Sequence, residues 1–259
     1  MSDFRLGSMV AEIAGHGPAL VMVHGLGGSS NSFQPLMPGL AEMKAIRPDL
    51  PGAARSALQP GRPGLMALCR SLHDLIRACG VTSAHLVGHS MGTLLCQYLA
   101  AAEPKLVSGL TLYGPILEPP AAARAALKDR AALARREGMA PIAEAVSQGS
   151  LSPVTRRDNP AAVAFVRESL LRQDSAGYAA HCEALAEAQA ADHRRIACPT
   201  LLVTGADDPV APPEMARRLA GLIEDCELEI LPACGHWPMI EAPATARRLL
   251  ESRLKETTH

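Results

Sequence analysis

The chain holds no run of Lys or Arg longer than two and no apolar run approaching 18 residues. The first absence removes the basic patch on which nucleic acids and anionic membranes dock, so neither is an expected partner. The second removes a helical membrane span, which needs about 20 apolar residues in a row. No Cys-x-x-Cys pair occurs, and the seven cysteines, at 69, 79, 96, 182, 198, 226 and 234, are odd in number. Several lie in apolar periodic segments, which predicts buried free thiols in a reducing compartment rather than a disulfide framework. No cluster of His, Cys and carboxylates has ligand spacing, so no metal is expected. The opening Met-Ser-Asp-Phe-Arg-Leu-Gly-Ser carries neither a basic stretch nor an apolar one, and the expectation is a cytoplasmic protein. Internal repeats and low-complexity linkers are missing as well.

What is there is a globular composition. Of 259 residues, 48% are apolar and 20% charged, and 25 Lys and Arg nearly cancel 26 Asp and Glu. A chain of this length buries on the order of three quarters of its unfolded surface and needs no staples.

The order along the chain is β/α. An apolar run from Pro18 stops at Gly27 and Gly28, and Ala45 to Asp49 is a weaker strand followed by a loop through Pro51, Gly52, Pro60 and Pro63. Leu65, Leu68, Leu72, Leu75, Ile76 and Cys79 recur at three and four, one apolar face of a helix that Gly80 ends. His85 to Gly88 reads as a strand, about Met91 to Ala102 as a helix, and Val107 to Tyr113 as a strand. From Pro119 to Arg195 no strand is legible, and alanine fills 22 of the 77 positions. Breaks at Gly138, Pro141, Gly149, Pro153, Pro160 and Gly177 divide this stretch into four or five short helices. The alternation resumes with strand Thr200–Thr204, a helix near Pro213 to Ile223, strand Leu228–Leu231 and a closing helix from Pro243 to about Lys255. These elements predict a mostly parallel sheet with helices on both faces, residues 1–118 and 196–259. The strandless segment 119–195 is expected to form a helical lid over it.

Three segments carry chemistry. Gly88-His89-Ser90-Met91-Gly92 follows a strand and opens a helix, the setting in which a strained serine is presented as a nucleophile. The helix start directs backbone N–H groups and a positive dipole end at developing negative charge. A serine needs a base to take its proton, and that base needs an orienting group. Asp208 follows one late strand and His236 the next, both at strand ends where parallel sheets gather their sites. The chain order Ser90, Asp208, His236 fits a hydrolytic triad. Asp207 is adjacent, but Pro209 restricts Asp208 to extended backbone and favours it as the acid. His24-Gly25-Leu26-Gly27-Gly28 follows the first strand, and the N–H groups of Leu26 and Met91 would form an oxyanion hole. His24 itself reads as structural. Gly25, Phe33, Met139 and Trp237 are candidate walls of a substrate pocket. The doublets Arg135-Arg136, Arg156-Arg157 and Arg194-Arg195 read as solvated helix faces.

Together these segments resemble the α/β-hydrolase superfamily over nearly the whole chain. The resemblance implies an eight-stranded core, a helical cap between the sixth and seventh strands, and the triad Ser90, Asp208 and His236. Arg136-Glu137-Gly138-Met139, Gly177 to Cys182, Ile196 to Thr200 and Asp208 to Pro213 look like the enol-lactone hydrolase and small carboxylesterase branch. Where such families read Asp-x-Arg-Gly-x-Gly-x-Ser, this chain has Asp49-Leu50-Pro51-Gly52-Ala53-Ala54-Arg55-Ser56. The expected activity is hydrolysis of a small ester or lactone, without a cofactor, by a monomer or homodimer. The alternatives are carbon–carbon bond hydrolysis of a dienoic diketone acid and a hydrolase-like receptor that binds rather than turns over its ligand.

Overall fold

The computed structural model describes residues 2–59 and 64–257. Pro60 and Pro63 of the expected proline loop, and His259, lie outside them. Eight strands form one sheet: β1 (Ser2–Leu6), β2 (Met9–Ala14), β3 (Ala19–Val23), β4 (Lys44–Asp49), β5 (Ala84–His89), β6 (Val107–Tyr113), β7 (Thr200–Gly205) and β8 (Cys226–Leu231). Their order is β1-β2-β4-β3-β5-β6-β7-β8. β2 runs antiparallel to both β1 and β4, and every later pairing is parallel. β5 and β7 are buried along their whole length, as strands covered on both faces must be.

The residue pattern begins its strands at Pro18 and passes over the β1–β2 hairpin. β1 is a sheet edge on which only Phe4 and Leu6 are half-buried, so it lacks an apolar run. The available signal was the Gly7-Ser8 pair between two short alternating segments. Gly7 has φ 59°, and Leu6 pairs with Met9 across the turn.

Two long helices flank the first parallel strands. α1 (Leu65–Ala78) buries Leu65, Leu68, Cys69, Leu72, Leu75 and Ile76 along one stripe. α2 (Met91–Ala102) leaves β5 at the centre of the sheet and is buried on nearly every side. Between β6 and β7 come five helices, α3 (Ala121–Glu137), α4 (Ala140–Gly149), α5 (Pro153–Asp158), α6 (Pro160–Leu171) and α7 (Ser175–Ala186). Gly138 caps α3, and Pro141, Pro153 and Pro160 sit in the first turns of α4, α5 and α6, where a missing N–H costs nothing. Ser152, Asn159 and Asp174 accept backbone N–H groups at the starts of α5, α6 and α7. Gly177 is a correction: it does not break a helix but lies within α7, where a side chain would run into the Gly52 carbonyl. The chain closes with α8 (Pro213–Ala220), the single turn α9 (Pro238–Glu241) and α10 (Pro243–Thr257).

The inserted helices are tied to loops that follow β3, β4 and β8. Ser169 Oγ and Gln173 Nε2 donate to the Gly27 carbonyl at 2.7 and 3.2 Å, and Gln173 Oε1 accepts Ala54 N–H at 3.1 Å. His181 Nε2 donates to the Pro51 carbonyl at 2.8 Å. The Ser150 carbonyl accepts His236 N–H at 2.8 Å. All these loops leave carboxyl ends of strands, so the insertion covers that edge of the sheet. All seven cysteines are free, and among the described residues no helix is long and apolar enough to cross a membrane.

Candidate active site

Ser90 joins β5 to α2 with φ 51° and ψ −120°, a conformation non-glycine residues rarely hold. The turn is over-determined. Ser90 N–H donates to the Tyr113 carbonyl at 3.0 Å, and the Ser90 carbonyl accepts Thr93 N–H and Oγ1–H at 2.8 and 2.6 Å. Gly92 lets the start of α2 press on β3, since a Cβ there would meet the Val23 carbonyl oxygen.

His236 lies in the loop after β8, with both flanking amides clamped by one carboxylate. Glu241 accepts Gly235 N–H at 2.9 Å and Trp237 N–H at 3.0 Å, and also Ser152 N–H of the insertion at 2.8 Å. So held, the imidazole bridges two groups: Nε2 is 2.8 Å from Ser90 Oγ, and Nδ1 is 2.8 Å from Asp208 Oδ2. The other oxygen of Asp208 accepts Val210 and Ala211 N–H groups, each at 2.8 Å. A carboxylate only accepts, so Nδ1 carries the proton and Nε2 turns its lone pair to the Ser90 hydroxyl. The Asp208 side chain is 0% exposed, whereas Asp207 faces solvent.

Met91 is the first residue of α2, so its N–H has no intrahelical acceptor. Leu26 borders the same space, and its loop is fixed by His24, which donates through Nδ1 to the Gly25 carbonyl and accepts Leu50 N–H at Nε2. Burial lowers the pKa of His24 and keeps that ring neutral, as a group that both donates and accepts must be. His89, the residue before Ser90, has its ring 4.6 Å from that of Trp237, tilted by 44°, and donates Nε2–H to the His236 carbonyl at 2.9 Å. Burial pushes its pKa well below the usual imidazole range.

Ser90 and His236 open on a cavity of about 320 Å³ walled by Leu26, Trp237, Tyr178 and the apolar face of α3. Of the expected pocket residues, Trp237 lines it. Gly25, Phe33 and Met139 do not. Gly25 packs on the Ser90 Cβ, Phe33 is wholly buried in the core, and Met139 is buried at the start of α4. The arginine doublets also stay outside, with Arg135 on Glu183, Arg157 on Asp158 and Arg194 on Asp192. Arg130 does line the cavity, and sequence reading passed over it; its signal was a cation spaced three, four and seven residues from Leu127, Ala126 and Ala123 on one helix face. Among the described residues no group of His, Cys, Asp and Glu is placed to hold a metal.

The loop after β4 is fixed by its own polar contacts. Arg55 Nε donates to the buried Asp49 at 2.7 Å, Ser30 N–H donates to the same carboxylate at 2.7 Å, and Ala54 holds φ 47°.

Comparison with known proteins agrees with this architecture. The family described as alpha/beta hydrolase fold matches residues 18–243. The 3-oxoadipate enol-lactonase 2 of Acinetobacter baylyi is 28% identical over 240 residues, 92% of this chain and 89% of that protein. A 2-hydroxy-6-oxo-6-(2'-aminophenyl)hexa-2,4-dienoic acid hydrolase of Metapseudomonas resinovorans is 28% identical over 247 residues, 89% of this chain and 81% of that one. A thermophilic esterase from Thermogutta terrifontis superposes with a TM-score of 0.91 at 26% identity, across 96% of this chain and 93% of the other. With an eight-stranded, mostly parallel sheet and a family match over most of its length, the chain belongs to the α/β-hydrolase family, and an enol-lactonase and an esterase stand among the proteins it is similar to.

Proposed function

We propose that the protein hydrolyses a small carboxylic ester or lactone through an acyl-enzyme on Ser90. The observation that carries this reading is the unbroken chain Ser90 Oγ, His236 Nε2, His236 Nδ1, Asp208 Oδ2, with 2.8 Å at each hydrogen bond. Ser90 Oγ attacks the carbonyl carbon while His236 Nε2 takes its proton, and Asp208 stabilises the imidazolium that forms. The carbonyl oxygen, now negative, lies against the N–H groups of Leu26 and Met91. Collapse expels the alcohol, which takes the proton from His236, and in a lactone that alcohol stays tethered to the acyl group. Water then attacks the acyl carbon, with His236 again as base, and frees Ser90. The inserted helices govern access, since they roof the cavity into which Ser90 points.

Ser90→Ala should fold normally and lose at least roughly a thousandfold in turnover of p-nitrophenyl esters. A serine-directed phosphonate should add to the wild type at Ser90. Labelling elsewhere would overturn the assignment. A dienoic acid hydrolase among the relatives supports a second reading, carbon–carbon cleavage by the same three residues. Faster turnover of a dienoic diketone acid than of any ester or lactone would select it, and one slow turnover with no second would select a receptor.

A further inference from the structure

Arg130 is the one Lys or Arg among the described residues lining the cavity that holds Ser90 and His236, and no Asp or Glu lines it. It continues the stripe Ala123, Ala126 and Leu127, three small or apolar residues on the same face of α3. A leucine at this position would complete the apolar wall. An arginine instead brings a charge whose partial desolvation is best offset by a partner of opposite sign. Other arginines of the insertion have such partners: Arg124 on Glu118, Arg135 on Glu183, Arg136 on Glu137, Arg167 on Glu144. No described carboxylate pairs with Arg130. Its neighbours are Tyr178, to whose hydroxyl it hydrogen-bonds, and Cys182 of α7, and its charge opposes the upward push of burial on both groups. The guanidinium is therefore half-buried, beside the cavity and without a counter-ion in the fold.

Resting on the ester-hydrolase reading above, we propose that Arg130 is a carboxylate-recognition site and that the substrate is a small ester or lactone bearing a free carboxylate. The planar fork of an arginine matches a carboxylate in two parallel hydrogen bonds and keeps its charge at any working pH. At about 320 Å³ the cavity is at the small end for ligand sites, which suits a short acid with one carboxylate and one scissile carbonyl. The stripe of Ala123, Ala126 and Leu127 beside Arg130 is apolar and orients the chain between them.

The test compares matched pairs of substrates. One arm uses p-nitrophenyl half-esters of dicarboxylic acids from glutaric to pimelic, against neutral esters in which an isopropyl group replaces the carboxylate. A second arm uses acetate esters of hydroxy acids against the same isopropyl replacements, so that a carboxylate on the alcohol side is also covered. The wild type should favour the anionic member in at least one arm. Arg130→Gln should lower that anionic-to-neutral ratio of kcat/KM by roughly 10–100-fold, the scale of a hydrogen-bonded charge pair. Arg130→Lys, which keeps the charge but not the fork, should retain part of the ratio. Neutral preference in both arms, or a ratio unmoved by Arg130→Gln, would overturn the proposal. Ser90→Ala serves as the separate check: activity surviving it overturns the ester-hydrolase reading, whereas Ser90-dependent turnover without anionic preference overturns only the carboxylate site.

Discussion

Replacing Asp208 with asparagine isolates one proton. The introduced side chain keeps one oxygen for the Val210 and Ala211 N–H groups, so the loop before α8 retains both 2.8 Å bonds. Its amide nitrogen would present N–H to His236 Nδ1, where the carboxylate accepts at 2.8 Å. Two donors cannot share that contact, so the imidazole proton moves to Nε2 and points at Ser90 Oγ. The ring then donates where it must accept. In other triads this wrong tautomer costs on the order of 10⁴ in turnover, about 5 kcal/mol of barrier. The assay is kcat and KM on one activated ester, with a urea unfolding curve for each variant. Asp208→Asn should lose roughly 10³–10⁴ in kcat, with KM changed by less than about fivefold and unfolding barely shifted. Asp207→Asn, on a solvent-facing side chain, should lose less than about tenfold. A small loss at Asp208, or the reverse ranking of the two aspartates, would refute the reasoning.

Other outcomes follow from contacts around the same site. Glu241→Ala leaves the N–H groups of Ser152, Gly235 and Trp237 without their acceptor, so unfolding should become easier by roughly 1–3 kcal/mol and kcat should fall about tenfold or more. An unchanged kcat would show that His236 is positioned without this clamp. Gly25→Ala puts a Cβ 2.7 Å from the Ser90 Cβ, and the displaced Leu26 N–H should cost on the order of 10² in kcat, measured beside an unchanged circular-dichroism spectrum. Burial holds His181 at about 4 and His85 at about 3, below the ordinary 6.5, so the unfolded chain binds more protons between those values. Stability is therefore fully present above about pH 6.5 and is lost as pH falls toward the folded values, by about 2 kcal/mol per histidine at pH 5. Urea midpoints should drop between about pH 7 and about pH 5, less steeply in His181→Gln; parallel slopes would remove His181 from the account.

Local signals were enough wherever one periodicity or one turn decides an element. The apolar run before Gly25, the three-and-four spacing in α1, and the proline and glycine punctuation of α3 to α6 each lie within a few residues, and the structure puts elements there. The elbow was legible for the same reason: strand, strained serine and helix are contiguous, and steric crowding by neighbouring backbone restricts which residues can flank Ser90. β1 was not legible, because an edge strand exposed on most of its length needs little apolar patterning. Gly177 misled because its glycine answers to the Gly52 backbone, distant in sequence, rather than to its own helix.

Element order and the residue types that enter one site could be read along the chain, because hydrophobic period, turn chemistry and chain order are local properties. Which of two adjacent aspartates meets His236 became definite in three dimensions, where two loop N–H groups pin the Asp208 carboxylate. The cavity wall likewise came from packing: Phe33 and Met139 turned into the core and Arg130 turned inward. Side-chain direction on a helix depends on what packs against it, and for Arg130 that is Tyr178 of α7, distant in the chain. The same holds for Arg55, which reaches Asp49 from an unexpected position because charge complementarity acts through space and not along the chain.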